Sequence, residues 1–129
     1  MILRLRKGES GQALVEMALV LPLFFLLLFG VIEMGRVGYA YITLCNAVRE
    51  GGRTAAIGGL DPSIENSVQK AATYLDLASL TIIITPSDRY SGEMVTVEVT
   101  YPVQLIIPII SNVIPNPVVL SSSIKMRLE

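Results

Sequence analysis

A carboxylate inside an otherwise apolar run is the residue of this sequence whose chemistry most needs explaining. Glu16 is the only charge between Ala13 and Ile32. An ionised group at the centre of a membrane helix costs about 2.5–3.5 kcal/mol, less near the interface where Glu16 would lie. It requires a partner or a task; the competing reading is a charge that snorkels to the lipid headgroups. Other reactive equipment is scarce. The chain has no histidine and one cysteine, which removes the usual general base, the commonest metal ligand, the serine-histidine triad and any intramolecular disulfide. Cys45 reads as a buried apolar residue. Asp61, Asp76, Asp88 and Glu93 fall at helix ends and turns, where capping and solvation account for them, and Ser121-Ser122-Ser123 has no nucleophile-elbow context. We therefore expect no catalytic residue, cofactor, metal or small-molecule substrate. A net charge of −1, with cations dispersed apart from Arg4, Arg6 and Lys7, leaves no footprint for a nucleic-acid partner.

The element that must position Glu16 is a helix. ALVEMALVLPLFFLLLFGVI, residues 13–32, is twenty residues long, and such a helix spans about 30 Å of hydrocarbon. Membrane lipid is thus one expected partner. The basic leader MILRLRKGESG predicts a single pass with the N-terminus in the cytoplasm and the C-terminal part outside. No small-residue cleavage site follows the apolar run, so a conventional removable signal peptide is not expected. Pro22 deletes one helix hydrogen bond, which membrane helices tolerate as a kink.

The run Gly11-Gln12-Ala13-Leu14-Val15-Glu16, between a short basic leader and a long apolar helix, resembles the processing site of type IV prepilins. The wider pattern, GQALVEMALVLPLFFLLLFGVIEMGR followed by NAVREGGRTAA, resembles the TadE-like pseudopilins (minor pilins) of tight-adherence, or type IVc, pilus systems. The resemblance implies cleavage by a prepilin peptidase between Gly11 and Gln12, and a role for Glu16, the fifth residue after the cut, in assembly. It also implies partnership with other pilin or pseudopilin subunits and the pilus assembly machinery. The alternative cut after Gly8 would place Ala13 at that fifth position. Physics gives the spacing a use. Cutting before Gln12 creates an α-amino group, mostly protonated at neutral pH, about one helical turn from Glu16. At about 4 Å and an effective dielectric of 20, an amine and a carboxylate from neighbouring subunits would gain roughly 4 kcal/mol before desolvation.

Downstream, Met34, Val37, Tyr41, Leu44 and Val48 recur at helical steps, with Arg36, Arg49, Glu50 and Arg53 on more polar faces. The helix is expected to run to about Ile57, weakened at Gly51-Gly52 and ended by Gly58-Gly59. Asp61-Pro62 reads as an N-cap and first helical residue, opening a second helix over about 62–77 with Ile64, Val68, Ala71 and Leu75 on one stripe. Ser79–Thr85, the alternating Met94–Tyr101, and Ile124, Met126 and Leu128 predict three strands in an antiparallel meander. The apolar stretch 102–117 carries four prolines and reads as a loop, either docking on a partner or membrane surface or folding over the sheet to close a small core.

The fold expected is a membrane-anchored α+β chain: a long N-terminal transmembrane and stalk helix, a short second helix and a small three-stranded antiparallel sheet. Its expected divisions are a cytoplasmic prepilin-type leader at 1–11, a transmembrane helix at 12–32, a helical stalk at 33–59 and an extracytoplasmic domain at 60–129. The reading that follows is a non-enzymatic pilin-like protein of the cytoplasmic (inner) membrane, or of a pilus once assembled. The alternatives are a permanently anchored assembly factor of a pilus or secretion system, and a membrane-anchored envelope enzyme, which would need two convergent carboxylates in a cleft.

Overall fold

A computed structural model describes residues 9–129 of the chain; Arg4, Arg6, Lys7 and Gly8 lie outside the described residues. One helix dominates. α1 runs Glu9–Ala56, 48 residues, about 72 Å at 1.5 Å per residue. Leu, Ala and Met, all strong helix formers, fill its first half. Pro22 sits inside α1 without ending it. Its end is where the glycines put it: Gly58 adopts φ 81°, the left-handed conformation a helix C-terminus favours. The amides of Gly58 and Gly59 close the last turn on Ala55 O and Thr54 O.

The second half of α1 is the spine of a small folded domain. α2 (Asp61–Ala71) packs along it, and β2 (Met94–Val103) and β3 (Val118–Arg127) lie against it. β1 (Thr81–Thr85) completes a three-stranded antiparallel sheet of order β1-β2-β3. The alternation expected of β2 is realised. Val95, Val97 and Val99 are fully buried against Leu44, Ala47, Val48 and Ala55 of α1 and Ile64, Val68 and Ala72 on the α2 side. Gly51 and Gly52, which would weaken an isolated helix, are instead where α1 comes closest to its neighbours. A Cβ on Gly51 would collide with Val68, and one on Gly52 would lie 2.6 Å from Ile124 Cγ2. The C-terminus is held to the same spine, Glu129 N donating to Ala56 O at 2.9 Å.

Several expectations are corrected. The buried stripe of α1 starts later than the periodicity implied: Met34 and Tyr41 are exposed, whereas Ala40, Leu44, Ala47 and Val48 are buried. α2 stops at Ala71, not near 77, because the chain leaves helical geometry at Ala72 and turns at Tyr74, whose φ is 74°. Leu75 still reaches the core from that turn, which is why the stripe read as one longer helix. Asp61 is the first residue of α2 rather than its cap. Its carboxylate pairs with Arg89, and the amides of Ser63 and Ile64 donate to Leu60 O. Strand β2 continues through Pro102, where only β3 pairs with it, since β1 reaches no further than the Thr81↔Thr100 pair. An imide nitrogen is tolerated on such an open edge. Inside the remaining loop, α3 (Pro108–Ser111) forms a single helical turn.

Candidate functional site

The first turns of α1 hold the residues whose spacing suggested chemistry. Gln12 Nε2 donates to Glu16 Oε1 at 3.2 Å, one turn apart on the same exposed face. The carboxylate thus has a neutral partner in its own chain and stands open to a second, charged one. Gly11, one residue before Gln12, has nothing near the position of an added Cβ. Glycine is also the residue that holds a helix least well, apart from proline. The peptide bond after it lies in an exposed turn near the start of α1.

From Glu16 the helix runs through a stretch covered by no part of the fold. Large side chains from Leu14 to Ile32 are exposed, Leu19 at 73% and Val31 at 71%. An 18-residue window in this helix has a mean hydropathy of 2.6, and among the described residues it is the one helix long and apolar enough to cross a membrane. Bare apolar surface on this scale is stable only against lipid or other apolar chains.

At the far end stands a carboxylate to which the sequence gave no task. Glu33, 17 residues beyond Glu16, or about 26 Å along the axis, is 3% exposed. Its Oε1 accepts from Arg36 Nη1 at 2.7 Å and from Ile106 N at 3.1 Å, while Arg36 Nη2 donates to Gln104 O at 3.4 Å. Burial of a charge is costly unless it is paired and hydrogen-bonded, and Glu33 is both. The pair staples the loop after β2 to the helix. The spacing of Glu33 and Arg36, three residues apart, was visible as a helical ion pair; the contact with Ile106 was not. Between that loop and α1 lies a groove of about 810 Å³, lined by Leu26, Leu27 and Val31 on one side and Ile109, Val113 and Ile114 on the other.

One turn past Tyr41, the Cys45 thiol accepts from Ser122 Oγ at 3.6 Å. The Cys45 side chain, through hydrogen bonding and charge, raises the Tyr41 phenol above its ordinary value. Cys45 is half-buried, less enclosed than expected. Among the described residues no group of three His, Cys, Asp or Glu side chains could hold a metal ion.

Comparison with curated proteins gave no match, and comparison with solved structures gave none either. A protein family does match: the one described as TadE-like protein, over residues 11–53. That stretch opens at Gly11, holds Glu16, the exposed apolar span and the Glu33–Arg36 pair, and closes just past the close-packed glycines of α1, and over it the chain is similar to TadE-like proteins.

Proposed function

We propose that the chain is a pilin-like structural and assembly protein, a minor pilin or pseudopilin, cut by a prepilin peptidase between Gly11 and Gln12 and used in building an adherence pilus. The observation that carries this reading is the placement of Gly11 and Glu16 at the head of a 48-residue helix whose TadE-like stretch begins at Gly11. TadE-like proteins are a structural and assembly family, so the reading needs no catalytic residue. In this account residues 1–11 are a cytoplasmic leader, 12–32 span the cytoplasmic membrane, 33–59 form the stalk and 60–129 form the domain outside. The basic leader sets that orientation. Removing it would delete three cations that resist extraction and create an amine able to pair with Glu16 of a neighbouring subunit. The partners are then lipid, the peptidase, other pilin-type subunits and their assembly machinery.

One observation favours a second reading, a permanently anchored assembly factor. The Gln12 amide already bonds Glu16 in the uncut chain, so the carboxylate has a neutral partner without processing. The two readings separate in cells lacking the chain and complemented with variants. A pilin-like subunit restores surface fibres, is itself found in the sheared fibre fraction, and fails in both when Glu16 is replaced by Ala. An anchored factor restores fibres while staying wholly in the membrane fraction.

A further inference from the structure

The loop after β2 holds no charged residue from Gln104 to Pro117, and although Leu105 is buried, Ile106, Ile109, Val113 and Ile114 are exposed, Val113 at 82%. In water such a surface would be a liability. Its position removes the difficulty. The groove between this loop and α1 is walled by Leu26 and Leu27, which belong to the apolar span, and Leu26 lies six residues, about 9 Å, inside Ile32 along the axis. Elements that lie in a membrane interface bury their apolar face about 5–10 Å into the headgroup and acyl boundary. The depth at which the loop faces the helix is therefore that of an interfacial element.

Six of its backbone N–H groups are already bonded within the protein. Irregular backbone at membrane depth must satisfy its polar groups within the protein. Leu105 N donates to Asn116 Oδ1 and Ile106 N to Glu33, while the amides of Ile110, Ser111, Val113 and Ile114 donate to carbonyls within the loop. Pro108, Pro115 and Pro117 have no N–H to satisfy. Ser111 Oγ folds back to Pro108 O at 2.8 Å. Arg36, partly exposed and held by the buried Glu33, lies four residues, about 6 Å, past Ile32 along the axis.

We infer that residues 104–117 form a second membrane contact, a half-anchor that dips into the outer leaflet beside α1, and that the groove between them is filled by phospholipid acyl chains. The inference rests on the reading of residues 13–32 as membrane-spanning. Lipid is favoured as the occupant because the groove is continuous with the exposed face of the span. The half-anchor would fix the tilt and rotation of the extracytoplasmic domain at the membrane surface before any subunit is extracted.

The test places single cysteines at Leu21, Val113 and Tyr90 in full-length Cys45→Ser protein, each labelled with an environment-sensitive fluorophore. The proteins are reconstituted in phosphatidylcholine–phosphatidylglycerol vesicles at two lipid-to-protein ratios. We expect Leu21→Cys to lose emission to deeply brominated lipid, Val113→Cys to lose it to lipid brominated near the headgroup at both ratios while resisting aqueous iodide, and Tyr90→Cys to be quenched by iodide alone. Iodide quenching at Val113→Cys equal to that at Tyr90→Cys, with Leu21→Cys still lipid-quenched, would overturn the half-anchor and leave the span intact. Lipid quenching at Val113→Cys that appears only in the lipid-rich preparation would identify another copy of the chain as the occupant and also overturn it. Iodide quenching at Leu21→Cys would remove the spanning reading on which the inference depends.

Discussion

Glu33 and Ile106 lie 73 residues apart in sequence, yet the carboxylate of one accepts the backbone N–H of the other at 3.1 Å. This bond ties the loop after β2 to the point where α1 emerges from its apolar stretch. It makes a carboxylate that is 3% exposed the joint between the span and the folded domain.

Replacing Glu33 by Ala strands the Ile106 amide and leaves Arg36, 39% exposed, to water and Gln104 O. Leaving a buried donor unpaired costs about 1–3 kcal/mol. Glu33→Gln keeps an acceptor for Ile106 and loses only the charge. Limited proteolysis of the full chain in detergent should find the 104–117 loop cut fastest in Glu33→Ala, more slowly in Glu33→Gln and slowest in the unaltered protein.

Gly52→Ala sets two effects against each other. Alanine gains about 0.5–1 kcal/mol in a helix interior over glycine. The new Cβ would lie 2.6 Å from Ile124 Cγ2, on a stiff β-branched side chain, and overpacking costs about 1–3 kcal/mol. The cost should win, and denaturant unfolding followed by tyrosine fluorescence should move to lower denaturant. An unchanged or raised midpoint would mean that β3 yields easily.

Ile64→Ala removes a fully buried side chain between α2 and α1. Large-to-small changes of this kind cost about 2–5 kcal/mol. The melting temperature of the domain should fall, while the helical signal of the apolar span, which touches none of this core, should persist.

Much of this architecture could be read in advance because its signals are local. The helix stop at Gly58, the Val95–Val97–Val99 face and the apolar span each follow from periodicity or a single conformational demand. What could not be read depends on distant partners. The start of β3 at Val118 is disguised by Pro115, Pro117 and the serine run, and is fixed by pairs such as Tyr101↔Leu120 and Val103↔Val118. The Asp61–Arg89 ion pair displaces a capping role that the Asp-Pro pattern supports equally well. Gly51 and Gly52 looked like a weak point, and only the packing of Val68 and Ile124 explains why bulkier residues do not fit. At the candidate site, Glu16 was legible as the one charge in an apolar run, and Gly11 and Gln12 only through a resemblance. Glu33 was not, since its task is set by a loop more than seventy residues away.

Glu16→Gln retains a side chain that can bond Gln12 but removes the charge, and so separates the local contact from pairing with an amine. If the charge matters for assembly, the variant should be processed normally and still be lost from the sheared fibre fraction. Incorporation at the unaltered level would assign Glu16 to the helix alone.

The central claim is tested most directly by the N-terminal sequence of the mature protein, isolated from membranes with and without co-expressed prepilin peptidase, beside a Gly11→Ala variant. The space around Gly11 is open, so this substitution leaves the fold undisturbed and a change in processing reports recognition by the peptidase. We predict a new terminus at Gln12 that appears only when both the peptidase and Gly11 are present. An intact Met1 terminus with active peptidase would contradict the pilin reading and leave a permanently anchored envelope protein.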